Sequence, residues 1–178
     1  FFAARPHPVI TQAYGMAFNK DSTKAYLVME VAAPCGNELS AYIDQNVLTQ
    51  EHKKSISEKL ISGLVHMHKH DIMYRDMKPE NCRYNRKTNV FKILDFGTAM
   101  HFNEKSKSYD VVGTFEFLAP EILDHWKHTS APGHSFPVDA WSLGCFLFEI
   151  ATGESLFRAP RKWNLAKNSY EFDDAGTM

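Results

Sequence analysis

The chain has 178 residues, 44% of them hydrophobic and 23% charged, with a net charge of −1 when histidine is neutral. That length is one ordinary domain, and that balance supports a packed core, which excludes a disordered chain. The near-neutral charge leaves no electrostatic footprint for nucleic acid or an anionic membrane, and the longest apolar stretch, about Leu143 to Ala151, is too short to span a bilayer.

Val9 to Phe18 is apolar and β-favouring, Asn19-Lys20-Asp21-Ser22 is a polar turn, and Lys24 to Val31 is a second strand, so a hairpin is predicted. Tyr26, Leu27 and Val28 are expected in its core. Pro34-Cys35-Gly36-Asn37 breaks the pattern and forms a connector. A helix is predicted from about Thr49 to His70, with Ile56, Leu60, Leu64 and Met67 on one face. Thr49 followed by His52 does not match a capping box, which leaves the start open by a turn. Ile72 to Asn81 is short and mixed, Val90 to Leu94 is a strand, and Lys105 to Asp110 is polar and loop-like. Asp139 to Ala151 predicts a buried helix, stopped at Gly153. After Pro160 the tail turns polar, and its acidic run Glu171 to Asp174 is read as solvated surface rather than a docking element.

Phe1-Phe2-Ala3-Ala4 lacks the basic and apolar regions of a secretory signal. Cys35, Cys82 and Cys145 are odd in number and widely spaced, forming neither a disulfide framework nor a zinc pattern, and point to an intracellular, cytoplasmic setting. His66, His68 and His70 alternate by two and splay around a helix, so no metal site is expected there.

Three polar clusters lie between these elements: Tyr74-Arg75-Asp76-Met77-Lys78-Pro79-Glu80-Asn81, then Asp95-Phe96-Gly97, then Gly113-Thr114 with Ala119-Pro120-Glu121. Each alone is weak, but their order and spacing resemble the catalytic loop, magnesium loop and activation-segment end of eukaryotic-type protein kinases. The resemblance runs from about His7 to about Phe157. It implies an α+β fold, with residues 1–33 a remnant of the β-rich small lobe and 34–178 a mainly helical large lobe, incomplete at its end.

The resemblance assigns roles residue by residue. Asp76 orients the attacking hydroxyl and accepts its proton. Lys78 neutralises charge on the transferred phosphoryl group, and the Lys-Pro-Glu-Asn string favours Ser/Thr over Tyr as the acceptor. Asn81 and Asp95 supply hard oxygens for Mg²⁺, and Gly97 permits the turn that points Asp95 into the site. Thr114 contacts Asp76 and Lys78. Asp139 anchors the catalytic-loop backbone from a buried helix, with Trp141 packed beside it. For ATP, Met29 guards the back of the pocket, the backbone of Glu30 and Ala32 meets the adenine edge, and Glu38 faces the ribose. Arg75 implies a segment ordered by phosphorylation, with an activating kinase acting on Ser106, Ser108 or Tyr109. The partners implied are ATP and a protein substrate bearing Ser or Thr, with no nucleic acid and no membrane.

The chain departs from the family in four places. Tyr74 replaces the commoner His. Met100 stands where a phosphate-holding basic residue is usual, with Lys105 or Lys107 as substitutes. Arg83 replaces an apolar floor under the adenine, with its stem laid there and its head turned outward. No Gly-rich loop and no strand Lys precede the hinge, and the Arg partner of Glu121 is expected beyond Met178. A fragment is therefore expected, with weak or no activity alone. Two readings follow: an active Ser/Thr kinase seen in part, and a pseudokinase or scaffold module that binds partners without turnover.

Overall fold

β1 (Ala13–Phe18) and β2 (Ala25–Met29) form the expected antiparallel hairpin, with Phe18 opposite Ala25 and Ala13 opposite Met29. The computed structural model describes residues 5–32, 35–103, 107–127, 133–157, 162–164 and 169–171. Asn19 closes the turn: its N–H donates to the Lys24 carbonyl at 3.1 Å, and its Oδ1 accepts the Lys24 N–H at 2.8 Å. Tyr26, Leu27 and Val28, expected as core, are instead about half exposed, and so are Tyr14, Met16 and Phe18. A two-stranded ribbon buries a side chain only where another layer lies over it, and among the described residues nothing covers this one.

The segment before β1 belongs to the main core. The Ile93 N–H donates to the Val9 carbonyl at 2.7 Å, and the Thr11 N–H donates back to the Ile93 carbonyl at 3.0 Å. This places Val9 and Ile10 among the buried residues of α2 (Gln50–His68) and β6 (Val90–Ile93).

β3 (Asn37–Glu38), β5 (Cys82–Asn85) and β6 (Val90–Ile93) form a three-stranded antiparallel sheet in the order β3-β5-β6. On β5, Cys82 and Tyr84 are buried while Arg83 and Asn85 are partly open, the period-two alternation of a sheet with one face on a core. α1 (Leu39–Asp44) follows β3 directly, a short helix the sequence reading passed over.

α2 runs Gln50–His68, and Ile56, Leu60, Leu64 and Met67 are buried along its length as their spacing predicts. Its start, contrary to the expectation from the sequence, is capped. Thr49 Oγ1 accepts the His52 N–H at 3.2 Å, and His52 Nδ1 accepts the Thr49 N–H at 3.3 Å, a reciprocal capping box. The imidazole acceptor does what a Glu or Gln usually does at that position.

β4 (Ile72–Met73) pairs with β7 (Met100–His101). A second cluster of Met73, Phe102, Leu118, Ala119, Ile122 and Val138 joins this pair to α3 (Pro120–Lys127) and α4 (Pro137–Thr152). α4 starts two residues before the predicted Asp139 and ends at Gly153, whose φ of +82° is the left-handed cap expected there. β8 (Lys162–Asn164) and β9 (Ser169–Glu171) form a last small hairpin. Among the described residues no helix is long and apolar enough to cross a membrane.

Candidate active site

The site is built on the loop between β4 and β5, and a buried carboxylate shapes it. Asp139 is fully buried on the first turn of α4. Its Oδ2 accepts the Tyr74 N–H at 2.8 Å and its Oδ1 the Arg75 N–H at 2.7 Å. His68 Nε2 lies 2.8 Å from the same Oδ2. A buried charge is tolerated only with such donors, and here they fix the loop where Arg75 takes a left-handed φ of +67°. Trp141 does not pack beside Asp139. Two residues turn a helix by roughly 200°, so Trp141 faces outward and stacks on Phe157 at 5.7 Å.

From this anchor the loop delivers Asp76. Its Oδ1 accepts from the Thr114 hydroxyl at 2.8 Å, and its Oδ2 accepts from Asn81 Nδ2 at 2.9 Å and lies 3.1 Å from Lys78 Nζ. Lys78 Nζ also donates to Thr114 Oγ1. Asn81 Nδ2 donates further to the Asp76 carbonyl at 2.9 Å, which leaves Asn81 Oδ1 as the oxygen available to a cation. The side chains of Asp76 and Lys78 are only 11% and 20% exposed, so their attraction is screened less than on an open surface. Thr114 reaches them because Gly113 carries no side chain: at its φ of +113° a Cβ would meet the Arg75 carbonyl oxygen at 2.6 Å.

Asp95 approaches from the end of β6. Gly97 does not hold the unusual backbone expected of it; Asp95 itself holds the left-handed conformation, φ +51°. Aspartate tolerates it through local hydrogen bonding, and Asp95 Oδ1 accepts the Gly97 N–H at 3.0 Å. Glycine serves by being small, because a Cβ at position 97 would crowd that same oxygen at 3.1 Å. Tyr74 buttresses the loop. Its phenol donates to the Leu94 carbonyl and its ring meets Phe96 edge-on at 5.4 Å. Burial, then the nearby Cys82 and Asp76, hold the phenol well above its ordinary pKa, so it stays a donor.

The residues expected to meet the nucleotide lie on β2, on the connector that follows it, and on β3. Met29 and Ala32 are partly buried, and Glu38 is exposed on β3. The Glu30 N–H donates to the Gln12 carbonyl at 2.8 Å, and the Ala32 carbonyl takes the Cys35 N–H at 2.9 Å. Among the described residues no backbone bond engages the Glu30 carbonyl or the Ala32 N–H. The Glu30 side chain turns away to Lys92 at 2.9 Å. Burial raises its carboxyl, but the Gln12 N–H and Lys92 outweigh burial and hold it below the ordinary value. Arg83 is half open, and its Nη2 pairs with Glu38 Oε1 at 3.2 Å.

The segment after Asp95 returns to Arg75. Arg75 Nε donates to the Thr98 carbonyl at 2.6 Å, and its Nη1 donates to Ser108 Oγ at 2.9 Å and Asp110 Oδ2 at 3.0 Å. Ser108 is buried and Tyr109 exposed. Ser106 and Lys105 lie outside the described residues, as does most of the acidic run after Glu171. Three contacts were missed in the sequence: His68 on Asp139, the Tyr74 phenol on Leu94, and Asp110 on Arg75. No sequence signal links the first pair, 71 residues apart. For Asp110 the only hint is an acid two residues from a candidate phosphoacceptor.

All three cysteines are free and buried, and burial raises each thiol. Among the described residues no three His, Cys, Asp or Glu side chains group as a metal cage. Asn81 with Asp95 fits a different arrangement, in which one or two protein oxygens share Mg²⁺ with substrate phosphates.

The family model for the protein kinase domain matches residues 2–173, and the chain belongs to that family. It is 31% identical over 155 residues to the serine/threonine-protein kinase PLK4 of Drosophila virilis, covering 85% of this chain and 18% of that one. It is 33% identical over 178 residues to developmentally-regulated protein kinase 1 of Dictyostelium discoideum, covering 94% and 24%. The chain thus spans about a fifth of the length of the curated relatives it matches.

Proposed function

We propose that this chain carries the phosphoryl-transfer machinery of a protein serine/threonine kinase, moving the γ-phosphoryl group of ATP to a Ser or Thr hydroxyl of a protein. The observation that carries the reading is the hydroxyl of Thr114 resting between the Asp76 carboxylate and the Lys78 ammonium. A side chain of the substrate's own chemistry is held by the two groups that would receive it. Asp76 orients the acceptor hydroxyl and takes its proton as the new O–P bond forms and the bond to ADP breaks. Lys78 sets positive charge beside the transferred group, and Asn81 keeps the Asp76 carboxylate aimed. Asn81 Oδ1 and Asp95 would hold Mg²⁺, which when bound neutralises charge on the phosphates. Met29, the backbone of Glu30 and Ala32, and Glu38 make the adenine and ribose side. Residues 1–33 then carry the hinge side of the site and 34–178 the catalytic side. We place the protein inside the cell, without nucleic-acid or membrane partners. A kinase acting on this segment would find Tyr109 open and Ser108 closed among the described residues.

The test is transfer from Mg-ATP to Ser/Thr peptides by the full-length protein. Asp95→Asn is expected to abolish it and Asp76→Asn to lower kcat by about a hundredfold or more. Unchanged turnover in Asp95→Asn would sink the assignment. A second reading, a domain that keeps the fold but binds partners without turnover, draws on the Arg83–Glu38 pair, which occupies the residue proposed for the ribose. Titration with Mg-ATP separates the two: saturable binding with turnover supports the kinase, and no binding supports the second reading.

A further inference from the structure

Arg75 is held by three side-chain hydrogen bonds. Its guanidinium is nearly buried, with a side chain 7% exposed, and it ties its own loop to two further stretches of chain, at Thr98 and at Ser108 with Asp110. A buried cation without a counter-anion is costly. Among the described ion pairs its one carboxylate partner is Asp110.

The segment beside that pair is closed from the other side. The Ser108 N–H donates to the His134 carbonyl at 3.0 Å, and the His134 N–H donates to the Ser108 carbonyl at 2.8 Å. Gly133 lies so near that a Cβ there would meet the Ser108 carbonyl oxygen at 2.8 Å and Lys107 Cβ at 2.7 Å. Ser108 is 3% exposed. Its hydroxyl faces Arg75 Nη1 at 2.9 Å and is closed to solvent in this arrangement.

We propose that Asp110 is a positioning residue: its carboxylate neutralises Arg75 and holds residues 107–110 onto the loop bearing Asp76, so the segment is ordered in the unmodified chain. Ser108 is then a structural hydroxyl and not the acceptor of an activating phosphate. The contact stands on its own geometry; its regulatory meaning rests on the kinase reading above. Arg75 transmits the order because its own N–H is fixed on Asp139 and its carbonyl lies against Gly113, next to Thr114.

Amide hydrogen exchange on the full-length protein, shown by mass spectrometry to carry no phosphate on residues 107–110, tests it without any need for turnover. The Ser108 and His134 amides report the bridge directly. They are expected to be protected in the unmodified wild type. Asp110→Asn and Asp110→Ala should speed both by tenfold or more, Asp110→Glu should restore most of the protection, and Ser108→Ala should have the smaller effect because the ion pair survives. Amides in the middle of α2 should not change. Unprotected amides in the wild type, unchanged exchange in Asp110→Ala, or a larger effect from Ser108→Ala than from Asp110→Ala would each overturn the proposal. A protein that fails to transfer phosphate leaves this result readable, so the two readings fail separately.

Discussion

At the scale of single residues, the site depends on Asp139 more than on any side chain that would meet a substrate. Its two oxygens accept two main-chain amides and lie against His68 in a place closed to water. Asp139→Ala is therefore expected to cost about 3 kcal/mol or more in urea unfolding, since it strands buried donors. His68→Gln should cost less, because that ring is a quarter exposed. The sequence made Asp139 legible through the resemblance of Asp-Ala-Trp-Ser-Leu-Gly, and likewise Asp76, Lys78, Asn81 and Asp95. Which residue bears the left-handed backbone was not legible there. Glycine is the expected carrier of positive φ, yet Asp95 and Arg75 carry it here because hydrogen bonds to Gly97 and Asp139 hold them.

At the scale of elements, periodicity located α2 and α4 to within a few residues, because long amphipathic or apolar runs are strong local signals. The short elements escaped it. α1 is six residues long, and β3, β4 and β7 are two each. Such pieces exist only through their partners, as Asn37–Glu38 does through Tyr84 and Arg83. The cap of α2 is a local device that the usual pattern hides. Thr49→Ala is expected to lower stability by about 1 kcal/mol in thermal or urea melts. His52→Gln should be nearly neutral, because Gln supplies the same acceptor. A loss in His52→Gln as large as in Thr49→Ala would argue against the reciprocal cap.

At the scale of the whole molecule, carboxylates from distant elements gather at α4. Burial raises the Glu149 carboxyl to about 7, and Glu80, Asp44 and Glu116 add to the rise. A carboxyl whose folded pKa lies above its unfolded value destabilises the fold as it ionises. The penalty is absent below the unfolded value of 4.5, grows between there and about 7, and is complete above. Glu149→Gln is thus expected to raise stability at pH 8 by about 1 kcal/mol, discounted because the group is half open to solvent, and to change nothing at pH 4. Urea midpoints of both proteins at the two pH values check it.

By itself the sequence determined the family, the two long helices and the first hairpin, and it named Asp76, Lys78, Asn81 and Asp95 as site candidates. Each of these is written in residues close along the chain, as a motif or a period. Only the tertiary structure decided that the hairpin core stands exposed, that Trp141 faces away from Asp139, that His68 braces the anchor, and that Asp110 neutralises Arg75. Those are contacts between residues far apart in sequence or choices of facing, and both are settled by which surfaces the folded chain brings together rather than by any local pattern.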